Sequence, residues 1–205
     1  MIWGLFLTFL GWSVGLILPL ISSFFLMISI SLIALFMLFI FDIVIIIAIV
    51  RLEKNFTVAS ILLFLFGVSN GLISFIIVYV AIQVVPLYIL ISVFGVLAGF
   101  FLLELIFATL FKIERYPHIF ILSILLIAFG LAIAQFFIPF FSLLSIIIDL
   151  VIVAIFGIVL FFDLQLIRQE PDRWACNTLN IFLDLLNIIL RILIILIKIF
   201  AEAQE

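Results

Sequence analysis

Apolar residues run almost without interruption along this chain, and the few polar positions act as punctuation. They divide it into seven apolar runs, at about 2–20, 24–50, 57–81, 86–111, 119–138, 142–167 and 178–198. Each run is near the roughly 20 residues that a helix needs to cross a bilayer. Within runs of Ile, Leu and Phe, periodicity does not separate helix from strand, but length does. A spanning strand needs only about 9–11 residues and alternates between faces. The pattern therefore predicts an all-α polytopic membrane protein, a seven-transmembrane-helix bundle forming one domain over residues 1–205. The longest runs are expected to tilt or to extend beyond the hydrocarbon.

Composition agrees with the pattern. Of 205 residues 71% are hydrophobic and 9% are charged, whereas a soluble domain is roughly half apolar. The expected solvent is a lipid bilayer. The formal net charge of −3 offers no basic face, so no nucleic-acid partner is expected. One cysteine, Cys176, leaves no internal disulfide and no all-Cys metal site. Met1-Ile2-Trp3 lacks the basic segment of a cleaved signal, and the first apolar run reads as a retained span. Protein partners are not specified by anything in the sequence.

The connections alternate in charge. Arg51 and Lys54, Lys112 and Arg115, and Arg168 and Arg173 mark three of them. The connections at Ile21-Ser22-Ser23, from Gln83 to Pro86, and at Pro139-Phe140-Phe141 carry no charge. By the positive-inside rule the basic side is cytoplasmic. Seven spans then put the N-terminus inside and the tail Ala201–Glu205 outside. Three Gly-x-x-x-Gly pairs, Gly11 with Gly15, Gly67 with Gly71 and Gly95 with Gly99, allow close backbone approach. They are expected to pack helices within one subunit. No long internal repeat announces inverted transporter halves.

The candidate chemistry lies in the last two runs. Asp163 sits four residues before the end of one, and Asp184 about six residues into the next. A charged carboxylate at membrane depth costs about 2.5–3.5 kcal/mol on insertion scales. If the two helices pack side by side and antiparallel, both acids lie about 6–10 Å below the same boundary and can meet. Two carboxylates at contact distance in a low dielectric cannot both ionise cheaply, so they would share a proton as a pH-sensitive pair. They also form a candidate metal site, a weak and transient one for calcium, which normally takes several more oxygen ligands. A weak site suits conduction, because a permeant ion must leave as easily as it enters.

The last helix carries a polar stripe. Asn180, Asp184, Asn187 and Arg191 share one face, with Asn177 one turn earlier, in a background of Leu, Ile and Phe. The stripe lines either something wet or a buried network that only locks helices together. Further acids inside spans are Asp149, Glu104 and Asp42. Asp149 is read as a further stop on an ion or proton path, and Glu104 as a carboxylate able to reach toward the basic loop that follows it. Arg51 and Lys54 are topology anchors or candidate latches for a carboxylate near the inner mouth. Lys198 lies at the end of the last run, not at its middle, which argues against a retinal protein. There is no His-Glu-x-x-His, no Gly-rich phosphate loop and no Ser-His-Asp arrangement, so no enzyme activity and no cofactor are expected.

The run Phe182-Leu183-Asp184-Leu185-Leu186-Asn187-Ile188-Ile189-Leu190-Arg191 resembles the last-helix signature of the Bax inhibitor family, the transmembrane Bax inhibitor motif proteins. Phe162-Asp163, followed by Gln165 and Ile167, resembles the companion motif on the sixth helix, where Tyr-Asp is common. Asn70-Gly71 within Phe64–Ser74, and Val93-Phe94-Gly95, resemble parts of the third and fourth helices. The resemblance implies a pH-sensitive calcium leak channel, with calcium as the permeant ion and Asp163 and Asp184 as the proton-sharing sensor. It implies a basic latch from the second helix, here Arg51 or Lys54. Phe162 stands where a Tyr is common, Ser92 is the position that matches a fourth-helix Glu of some relatives, and Asp149 is not part of the pattern. The short connections point to a prokaryotic plasma membrane. Two other classes stay open: a proton-coupled cation transporter, and a non-conducting membrane interaction protein.

Overall fold

The computed structural model describes residues 2–111, 117–140 and 142–203. Lys112 and Arg115, Phe141 and the last two residues lie outside the described residues. Eight α-helices follow one another among the described residues: α1 (Ile2–Ile21), α2 (Ser23–Ile30), α3 (Leu32–Leu52), α4 (Phe56–Val84), α5 (Leu87–Leu110), α6 (His118–Ala134), α7 (Leu143–Gln169) and α8 (Trp174–Glu202). Six are long and apolar enough to cross a bilayer, and Ile119–Ala134 is a shorter apolar helix. The chain is an integral membrane protein built from helices. Its exposed surface carries the side chains that lipid solvates: α5 buries Leu90 and Ala108 and turns Ile91, Val96, Leu102 and Phe107 outward. In lipid every backbone N–H and C=O must be satisfied inside its own element, and a helix does so.

Two expected spans differ in detail. The run 24–50 is broken at Ser31, which ends α2 and begins α3 with extended backbone. Its hydroxyl accepts from Ala34 N at 3.4 Å. Serine offers the backbone a local alternative partner, and this favours a helix boundary over a helix interior. The run 119–138 tightens at Gln135 into a 3-10 turn, Gln135–Phe137. Pro139 follows, and proline lacks the N–H that a continuing helix would use.

The chain divides into two compact units. The first comprises residues up to Tyr79 together with Glu170–Phe182. Here α1 meets α4 through glycine. A Cβ at Gly11 would collide with the carbonyl oxygen of Phe64, and one at Gly67 with that of Thr8. At Gly71 it would stand 2.7 Å from Gly15 Cα. Hydrogen on these Cα atoms is what lets the two backbones touch. Trp12 Nε1 donates to Ser74 Oγ at 2.8 Å across the same seam. Phe66 and Phe182 stack edge to face with centroids 6.0 Å apart. The first turn of α8 is capped by Glu53, whose Oε1 accepts from Ala175 N at 3.0 Å and Cys176 N at 3.1 Å. A carboxylate there answers both the orphan donors and the positive end of the helix dipole.

The second unit comprises Val80–Gln169 and residues from Leu183 onward. In it α7 packs against both α5 and α6. Gln165 reaches the end of α5, donating to the carbonyls of Ala108, at 2.9 Å, and Phe111. These are carbonyls that the helix end leaves without an internal partner. The third glycine pair behaves differently from the other two. A Cβ at Gly95 or Gly99 would meet nothing within 4 Å, so this pair packs against no helix among the described residues.

The contrast gives a test. Gly67→Leu is expected to destabilise the protein by about 1–3 kcal/mol or more, because backbone cannot move aside for the added atoms. Gly95→Leu is expected to lie within about 0.5 kcal/mol of wild type. Thermal melts of both variants in detergent micelles check the difference.

Candidate functional site

Two groups of buried ionisable side chains lie on α7 and the later part of α8, in the second unit. The first is the expected pair. Asp163 and Asp184 are each 5% exposed, and their carboxyl groups are within hydrogen-bonding range of each other. Their neighbours along the helices, Leu160, Leu164, Leu186 and Ile188, are buried. An ionised carboxylate only accepts hydrogen bonds, so a bond between two carboxyl groups needs a proton between them. Asp184 Oδ2 has no further partner among the described residues. No three His, Cys, Asp or Glu side chains cluster as a metal site among the described residues. Calcium takes about 6–8 oxygen ligands, so water would have to supply most of the shell around this pair.

The second group centres on Asp149, which is fully buried. Its Oδ2 accepts from Lys198 Nζ at 2.5 Å. Its Oδ1 accepts from Arg191 NH1 at 2.8 Å and from Gln135 Nε2 at 2.7 Å. Arg191 also donates to Gln135 Oε1 at 2.6 Å. Lys198 is 2% exposed; it donates to Ser145 Oγ at 2.6 Å and stands 4.7 Å from the centre of the Phe140 ring. Gln135 bonds into this group at the point where α6 tightens into its 3-10 turn. Asp149 is thus held between two cations, which is not the environment of a free stop on a cation path.

The two groups share one geometric origin. Asp149 stands fourteen positions before Asp163, and Lys198 fourteen positions after Asp184. An antiparallel register that sets Asp163 opposite Asp184 therefore also sets Asp149 opposite Lys198, about 21 Å further along. This register was legible in the sequence once Asp163 and Asp184 were paired, yet Lys198 reads there only as a residue at the end of a run. Gln135 and Ser145 gave no signal of their own.

The remaining candidates fall elsewhere. Asn187 lies on the stripe half-buried and donates to Leu183 O of its own helix at 2.9 Å. Asn177 donates to Glu170 O at 2.9 Å, and Asn180 is half-buried. Arg191 turns to Asp149. In the first unit Asp42 is buried, with Oδ2 accepting from Asn70 Nδ2 at 3.2 Å. Arg51 and Lys54 are exposed around the turn after α3, while Glu53 between them caps α8, a role not anticipated from the sequence. Glu104 lines an open groove between α5 and α7 with Phe100, Phe107, Gly157 and Phe161; Lys112 and Arg115, toward which it was expected to reach, lie outside the described residues.

Comparison with protein-family models, with curated proteins and with solved structures finds no match.

Breaking a buried ion pair by removing one partner typically costs about 3–5 kcal/mol. Asp149→Asn removes the single acid facing two cations and is expected to destabilise by about that much. Lys198→Met leaves Asp149 its guanidinium partner and is expected to cost less. Thermal melts of the two variants and of the double variant check the order; the double variant should be less damaged than the two effects added together.

Proposed function

We propose that the chain is a pH-sensitive calcium leak channel, gated by protonation of the Asp163–Asp184 pair. The observation that carries this reading is the meeting of two buried carboxyl groups inside apolar helices of a membrane protein. Such a pair is costly in lipid, and it changes charge as its shared proton comes and goes. Deprotonated, it attracts a divalent cation and repels itself; protonated, it does neither. Support also comes from the resemblance of Phe182–Arg191 and Phe162-Asp163 to the motifs of the Bax inhibitor family, which brings with it Arg51 or Lys54 as the candidate latch.

In this reading the shorter helix Ile119–Ala134, with the 3-10 turn after it, completes a seventh crossing. The N-terminus is cytoplasmic, the C-terminus is outside, and the membrane is a prokaryotic plasma membrane. The Asp149 group then lies toward the outer face. With two cations against one acid it opposes calcium, so this arrangement corresponds to a closed leak.

One observation favours a second reading, a non-conducting membrane interaction protein. Asn177, Asn187 and Arg191 each have partners within the protein, as a stripe that only locks helices would.

Calcium flux in proteoliposomes, measured against pH, separates these readings. A leak is expected to run down a calcium gradient with no proton gradient imposed, and to change with pH. Asp163→Asn and Asp184→Asn are each expected to flatten that pH profile. Flux that appears only under an imposed proton gradient would point to a coupled transporter. Absence of any flux would leave the packing reading, and an unchanged profile in both variants would defeat the sensor.

A further inference from the structure

The groove between α5 and α7 has a volume of about 720 Å³, within the range of small-molecule sites. Among the described residues that line it, Glu104 is the single charged one; the others are apolar, and five of them are phenylalanines. Glu104 forms no hydrogen bond or ion pair among the described residues. The rings of Phe161 and Phe162 lie 5.6 Å apart, nearly perpendicular; those of Phe107 and Phe111 lie 6.0 Å apart. Gly157 keeps the groove open, since a Cβ there would already stand 3.3 Å from the Phe100 ring.

We propose that this groove binds a lipophilic organic monocation, with Glu104 as its counter-ion and the phenylalanine rings around its apolar groups. Charge complementarity commits the site to a cation, because an acyl chain or another neutral occupant would leave the Glu104 carboxylate without a partner in an apolar wall. Calcium is a poor fit. It seeks about 6–8 oxygens, and among the described residues the lining side chains offer the two of one carboxylate. A cation with its charge spread beneath an apolar skin loses little hydration on entry, and it gains the faces of aromatic rings as well as the carboxylate. The groove is separate from Asp163 and Asp184, and the proposal does not depend on calcium conduction.

The test is equilibrium binding of radiolabelled tetraphenylphosphonium to the full-length protein in detergent micelles. Saturable binding at one site per chain is expected. Uncharged triphenylphosphine oxide and calcium should not displace the label. Glu104→Gln is expected to weaken binding about tenfold or more, equivalent to at least about 1.4 kcal/mol. Gly157→Leu keeps the carboxylate but fills the groove, and it should abolish binding while the protein still melts cooperatively. Absence of saturable binding would overturn the proposal. So would equal affinity in either variant, or displacement of the label by phosphatidylcholine, which would assign the groove to lipid.

Discussion

One antiparallel register, between α7 and the later part of α8, decides where the buried charges of these helices go. It brings an acid to an acid at Asp163 and Asp184, and an acid to a base at Asp149 and Lys198. In water neither juxtaposition would matter greatly, since exposed pairs contribute about 0–1 kcal/mol. Inside an apolar protein both become large terms. Like charges must find a proton or a cation, and opposite charges must find each other.

The two groups use this physics in opposite ways. Around Asp149 the polar groups answer one another: Lys198 reaches Ser145 as well as the carboxylate, and Gln135 bridges acid and guanidinium. A network satisfied in this way holds helices in one arrangement. At the other group Asp184 meets Asp163, like charge against like, and among the described residues Asp184 Oδ2 has no hydrogen-bond partner. In the proposed reading the charge of this pair depends on a proton that the surroundings supply. In that reading an ion-paired group and a protonatable pair on the same two helices give a fixed frame with one adjustable element. The glycine seam of α1 with α4 stiffens the other unit by backbone contact in place of charge.

The helical membrane class was legible from run length and composition alone, because lipid leaves few alternatives to a helix. The Asp163–Asp184 contact was legible from depth and helix order. The break at Ser31 and the tightening at Gln135 were not, since one hydroxyl or amide inside an apolar run acts through a partner whose position the sequence does not give. The ion pair of Lys198 was not legible for a related reason: the sequence shows only its place at the end of a run until the register sets it opposite Asp149. The groove that Glu104 lines was not legible, because its other wall is a distant stretch of α7. Two of the three glycine pairs fulfil their packing role; the third faces open space, because identical spacing does not choose a neighbour.

The central claim is that Asp163 and Asp184 hold one proton between them. Infrared difference spectroscopy of the protein in lipid nanodiscs, titrated across pH, tests this most directly. The account expects a carboxylic C=O band from a single proton, altered by either Asp163→Asn or Asp184→Asn and unaffected by Glu104→Gln. Two bands that titrate independently, each lost with its own residue while the other stays unchanged, would contradict it.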